Sequence, residues 1–198
     1  MTWRLLGLAL VAWSAQADES ALRAQFEKSI KDKDPAKRQE AVKTLRGCSE
    51  EATIRVLISA LADPQKEVRR AVAEAVEGSQ DGAGLAIKSL ASHLVDKSED
   101  PDVRLACARA LRAARYKEHA IEAMLETIAG ITNQDRTLFK FGAEVTDLLN
   151  ALIGEAFPKG KQTVDLVTEW WKENKARIQK EDRAAREEYS KSQQRKGK

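Results

Sequence analysis

The side chains with the strongest claim to chemistry are two histidines, two cysteines and one glycine-rich stretch. A metal site needs several Cys, His, Asp or Glu at ligand spacing, and a histidine base needs a group that orients it. Neither requirement stands out around His93, which falls beside the apolar Leu90, Leu94 and Val95, or around His119, where Glu118 is merely adjacent. A nucleophilic thiol needs a base nearby, and none is visible near Cys48 or Cys107. Cys48 lies in the turn Gly47-Cys48-Ser49 and is expected to be the more reactive thiol; Cys107 aligns with the small core positions Ala41 and Val72 of two similar segments. Packed helices stand about 8–10 Å apart, whereas the Cα atoms of a disulfide lie about 5.5–6 Å apart. Some two helix layers separate the two cysteines, which argues against a bond between them. The run Gly78-Ser79-Gln80-Asp81-Gly82-Ala83-Gly84 lacks the Lys-Ser/Thr of a phosphate loop and a strand before it, so it reads as a linker. The expectation is a non-enzymatic chain with no catalytic residue, cofactor or metal.

The elements that would position any such group repeat along the chain. Lys37 to Leu45, Val68 to Val76 and Val103 to Leu111 align without gaps, and each follows an Asp-Pro: Asp34-Pro35, Asp63-Pro64 and Asp100-Pro101. Asp caps the unpaired N–H groups of a helix start, and Pro at the first helical position gives up no hydrogen bond. Small Ala, Val and Cys side chains at i, i+3 or i+4 let these helices pack closely. Before each Asp-Pro lies another amphipathic segment, marked by Leu22, Phe26 and Ile30, then Ile54, Leu57, Ile58 and Leu61, then Leu85, Ile87, Leu90, Leu94 and Val95. A fourth pair runs through Ile121, Met124, Leu125 and Ile128, then Leu138, Val145, Leu148, Leu149 and Leu152, with Asp135-Arg136 in place of Asp-Pro.

Asp-Pro, then Val-Arg, then small residues, then Leu resembles the HEAT repeat, in particular the short bacterial HEAT-like repeats, over roughly residues 20–130. The resemblance implies an all-α fold: a short right-handed α-α solenoid of HEAT-like helix pairs with a C-terminal capping helix. It also implies that second helices line a concave face. Over residues 35–46, 64–76 and 101–113 the chain carries ten basic and four acidic residues, whereas 50–61, 83–95 and 117–129 carry three and five. That inner face is therefore expected to be mildly basic.

Two readings of the arginines stay open. Arg38, Arg69 and Arg104 are expected to form an internal ladder with Asp34, Asp63 and Asp100. Arg70, Arg109 and Arg112 are the candidates to hold an anionic partner, such as an acidic protein segment, an anionic lipid head group or an acidic polysaccharide. The net charge of +3 is too balanced for a dedicated nucleic-acid binder. The expected role is an interaction scaffold or adaptor for a protein partner or acidic peptide. Alternatives are an accessory lyase or chaperone for a prosthetic group, as in bilin-attaching HEAT-like proteins, and a membrane-surface binder using the basic face.

The two ends read differently. Met1-Thr2-Trp3-Arg4, the apolar run Leu5–Trp13 and Ser14-Ala15-Gln16-Ala17 form a signal-peptide pattern with cleavage after Ala17. That run is short of the roughly 20 residues of a membrane span. Residues 1–17 are thus expected to be removed, leaving an exported, periplasmic or secreted chain with no transmembrane segment; the alternative is an uncleaved anchor or a buried first helix. HEAT-like repeats are expected over 18–155, a Trp-bearing cap over 156–178 whose helix follows the break Pro158-Lys159-Gly160, and over 179–198 a charged helix fraying into a basic, disordered tail. Trp170 and Trp171 are adjacent and cannot both face one core. One is expected to pack with Val164, Val167 and Ile178, the other to offer an aromatic surface. Leu149 to Lys175, a helix end at Ile153-Gly154 followed by the helix with Trp170-Trp171, resembles a tail that follows HEAT-like repeats in exported bacterial proteins, though it lacks the first Trp of that tail's Trp-x-x-Trp-Trp.

Overall fold

The computed structural model describes residues 19–79, 82–131, 136–159 and 162–196, and all regular structure among them is helical. The signal-peptide segment and Asp135 lie outside the described residues. The chain divides into two compact units at Ala86 and Ile87.

The first unit begins with α1 over residues 19–29. It continues through α2 (Pro35–Thr44), α3 (Glu51–Ser59) with a 3-10 turn at Ala60–Ala62, and α4 (Lys66–Glu77). Asp34 starts α2 as its sequence predicts: the backbone is extended at Asp34, a side-chain oxygen accepts from Ala36 N–H at 2.9 Å, and Pro35 follows in the first turn. Asp63 makes the same bond to Gln65 N–H at 2.9 Å, but Gln65 is extended, so α4 begins only at Lys66. After α2 the chain turns at Gly47, whose φ of +85° suits glycine. Glu19 then caps α3 from the far side of the sequence, accepting from Ser49 N–H at 3.0 Å and Glu50 N–H at 2.9 Å. α2 packs on α4, and the core between the helices holds Phe26, Val42, Leu45, Ile54, Leu57, Leu61, Val68, Val72 and Val76.

α5 (Gly82–Val95) starts within the glycine-rich run, so only the residues between Glu77 and Gly82 connect it to α4, fewer than the linker expected from the sequence. The second unit takes the rest of α5, then α6 (Pro101–Arg112), α7 (Glu118–Ala129), α8 (Arg136–Ile153) and α9 (Thr163–Lys196). Asp100 repeats the Asp34 cap, accepting from Asp102 N–H at 2.9 Å. α6 and α7 both pack on α8, and α7 also packs on α9. Buried here are Leu90, Leu94, Val103, Cys107, Leu111, Ile121, Met124, Val145, Leu149, Val167, Trp171 and Ile178.

After Ile178 the chain continues as a helix, and the fraying into a disordered tail expected there does not set in before Lys196. Residues 179–196 continue the helix that starts at Thr163, beyond Pro158-Lys159-Gly160. The reason is polar rather than apolar anchoring. The buried Asp182 carboxylate accepts from Lys117 N–H at 3.0 Å and Glu118 N–H at 2.9 Å, capping α7. Around it Lys175 binds Glu122 at 2.8 Å and Gln179 binds Glu118. One turn on, two arginines and two tyrosines interlock: Arg186 lies 5.0 Å from the Tyr116 ring and Arg115 lies 5.2 Å from the Tyr189 ring.

Candidate functional site

The structure separates the arginines into two kinds. Arg38 on α2 is buried and forks onto Asp63, with Nε at 2.7 Å and Nη2 at 2.9 Å from the two carboxylate oxygens. Its Nη1 donates to the carbonyls of Asp32 and Lys33 at 2.9 and 3.2 Å. This is a charge-assisted bidentate rung between successive repeats. Burial pushes the Asp63 carboxyl up, but the Arg38 fork and the Gln65 N–H pull it below the ordinary carboxylate range. Arg69 repeats the carbonyl contacts of Arg38, donating to the carbonyls of Asp63 and Pro64 at 2.7 and 3.0 Å.

Arg104 departs from the expected ladder. Its Nε donates to the Leu94 carbonyl at 2.8 Å and its guanidinium lies 4.7 Å from the centre of the Phe141 ring. Burial pulls it below the ordinary arginine range, with Asp96 acting against that. Asp100 accepts the Asp102 N–H. The fourth pair supplies an aromatic ring from α8 where an earlier repeat supplies the Asp-Pro carboxylate.

Arg70, Arg109 and Arg112 sit on second helices, α4 and α6. Arg70 Nε is 3.5 Å from Glu74, with the two side chains 42% and 50% exposed. Arg109 Nη2 is 3.6 Å from Glu144 on α8, again with both side chains about half exposed. Arg112 is exposed. Such long, wet pairs contribute little on their own.

The aromatic candidates come together at the start of α9. Trp171 is buried with Val167 and Ile178, and Lys175 Nζ lies 5.7 Å from its ring centre. Trp170 is half-buried, stacked on Trp171 at 6.5 Å and edge-on to Phe157 at 6.2 Å. Its Nε1 donates to Glu155 Oε1 at 3.2 Å. Gly154, with φ +78°, ends α8 and turns the chain so that Glu155 and Phe157 reach this helix.

Sequence reasoning missed two polar relationships. His93 Nδ1 lies 2.9 Å from the buried carboxylate of Glu99, whose other oxygen accepts from Asp100 N–H. Their spacing of six residues across a helix end carries no periodic signal. His119 lines a shallow groove of about 330 Å³ with Lys88, Ser92, Glu122 and Glu126, in which Glu122 is held by Lys175. Among the described residues no cluster of three or more His, Cys, Asp or Glu is placed to hold a metal ion. No helix among them is long and apolar enough to cross a membrane. Cys107 is fully buried, and Cys48, expected to be the more reactive thiol, is also buried.

No curated protein and no solved structure matches the chain. Residues 19–112 match the family model for HEAT repeats, a span that runs from the first described residue to the end of α6. That part of the chain, with the Asp-capped helices α2 and α6 and the Arg38–Asp63 rung, is similar to HEAT repeats.

Proposed function

We propose that this chain is an exported, non-enzymatic scaffold that holds an acidic protein segment through arginines of its second helices. The observation that carries this reading is the contrast between the two kinds of arginine. Arg38 is buried and committed to Asp63, and Arg104 to a carbonyl and a ring. Arg70 and Arg109 stand about half exposed on their helices, with Glu74 at 3.5 Å from the one and Glu144 at 3.6 Å from the other. A partner carboxylate offering a tighter fork replaces such contacts at little cost. HEAT repeats in residues 19–112 support a protein partner, and the Met1–Ala17 pattern supports export.

The test is capture from the envelope fraction of the native host, using residues 18–198 beside a variant with Arg70, Arg109 and Arg112 changed to Glu. A partner held by the wild type and lost by the folded variant supports the reading. Equal recovery by both removes the arginine face from it. Mass analysis of the protein purified from that fraction tests export: a mature chain starting at Asp18 is expected, and an intact Met1 would remove that part.

A further inference from the structure

Some exposed acids on helix faces pair with a base one turn away, as Glu40 does with Lys43, Glu51 with Arg55 and Glu181 with Arg177, while others, such as Glu27 and Glu67, stand singly. The first half of α9 gathers acids of the second kind into one row. Asp165, Glu169 and Glu173 recur at i, i+4 and i+8, all exposed, and engage no hydrogen bond or ion pair among the described residues. Side chains at this spacing share one face, where like charges oppose one another. Lys172 flanks the row and is exposed without closing on it.

Beside the acidic row runs an apolar one. Leu166 is one of two large hydrophobic side chains exposed among the described residues, at 45%. Trp170 stands one turn further on, held in one orientation by Trp171, Phe157 and the bond to Glu155. Glu155 is itself exposed and adds a fourth carboxylate at the edge of this patch. A fixed aromatic loses little freedom when something packs on it.

We propose that the Leu166–Trp170 face of α9 is a docking surface for a cationic amphipathic segment of another protein, one that sets Lys or Arg against Asp165, Glu169, Glu173 and Glu155 and an aliphatic or aromatic anchor against Leu166 and Trp170. Charge complementarity selects the occupant: an acidic or purely apolar segment would leave the carboxylate row opposed or buried unpaired. The proposal rests on the reading of the chain as a scaffold but uses a different surface and a partner of opposite charge. A variant with Arg70, Arg109 and Arg112 changed to Gln, which adds no acid, should bind a cationic probe about as the wild type does, so either idea can fail without the other.

The experiment titrates the full chain into a fluorescent amphipathic helical peptide of Lys and Leu, and into the same peptide with Ser for Leu. The Leu peptide should bind, weakening with added salt, and the Ser peptide should bind less. Asp165→Asn with Glu169→Gln and Glu173→Gln should raise Kd about tenfold or more and flatten the salt dependence. Leu166→Ser should raise Kd severalfold while leaving the salt dependence in place. Lys172→Glu, which extends the row, should tighten binding, a gain that misfolding cannot imitate. Unchanged affinity in the amide variant or in Lys172→Glu overturns the proposal. So does an unchanged Leu166→Ser variant, which would leave only diffuse charge attraction. Light scattering that shows self-association of the wild type, lost in the amide variant, would assign the face to a second copy and overturn it as well.

Discussion

Arg38 and Asp63, 25 residues apart, form a rung in which one guanidinium joins two repeats: two of its nitrogens take the carboxylate of Asp63 and the third takes two carbonyls ahead of its own helix. Asp63 answers a second demand at once, since one of its oxygens also accepts from Gln65 N–H ahead of α4. One carboxylate therefore fixes where the next second helix begins and how the preceding one lies against it.

The rung should be visible in the pH dependence of stability. Asp63 has its ordinary value of 3.8 when unfolded and lies below that when folded. Its contribution is thus complete above about pH 4 and fades as the pH falls through the folded value. Asp63→Asn keeps an acceptor for Gln65 N–H but leaves Arg38 facing a neutral group. The variant should melt roughly 5 °C lower at pH 7, and the gap from wild type should narrow towards pH 3. A gap independent of pH would show that the charge of Asp63 does not hold the repeats together.

What was legible in the sequence was local. Asp34 and Asp100 cap their helices because Asp and Pro act on the next few residues, whatever the tertiary context. Arg38 was legible as a rung because Asp63 recurs one repeat later. Arg104 was not, since the ring it meets, Phe141, lies in a pair whose start lacks Asp-Pro. The anchoring of residues 179–196 was equally hidden. Its anchors, Asp182, Arg186 and Tyr189, are polar or amphipathic, and their partners lie more than 60 residues upstream, so hydropathy read this stretch as solvated.

Asp182 offers a direct test of that long-range anchoring. Its carboxylate takes two backbone N–H groups at the start of α7 that have no partner within their own helix. Asp182→Ala should cost about 1–2 kcal/mol in denaturant unfolding. It should also speed amide exchange both in the first turn of α7 and in α9 beyond Gln179. Faster exchange confined to α9 would mean that α7 is capped well enough without it.

The thiols report on local opening. Cys107 is wholly buried in the middle of α6, and Cys48 is buried at the turn after α2. Both should label at least about a hundredfold more slowly than in denaturant, because reaction requires the fold to open. Cys48 should still label first, since freeing a turn takes less than unpacking a core helix. Mass spectrometry of alkylated peptides over time distinguishes the two sites, and prompt labelling of Cys107 would contradict its burial.

Gly154 separates backbone strain from packing with little ambiguity. Its φ of +78° lies where an L side chain is strained, yet a Cβ there would meet nothing within 4 Å. Gly154→Ala should therefore cost about 1–2 kcal/mol through the backbone alone, a fall of roughly 2–8 °C in Tm for a chain of this size. Gly154→Asn should recover part of the loss, because Asn tolerates the left-handed region better than Ala. The turn also delivers Glu155 to Trp170 Nε1 and Phe157 to the edge of its ring. If Gly154→Ala shifts the turn, Trp fluorescence in the folded state should change along with stability. A change in stability without any change in fluorescence would mean that Trp170 keeps its place and the turn absorbs the strain. No change in either would show that the left-handed turn is not required to end α8.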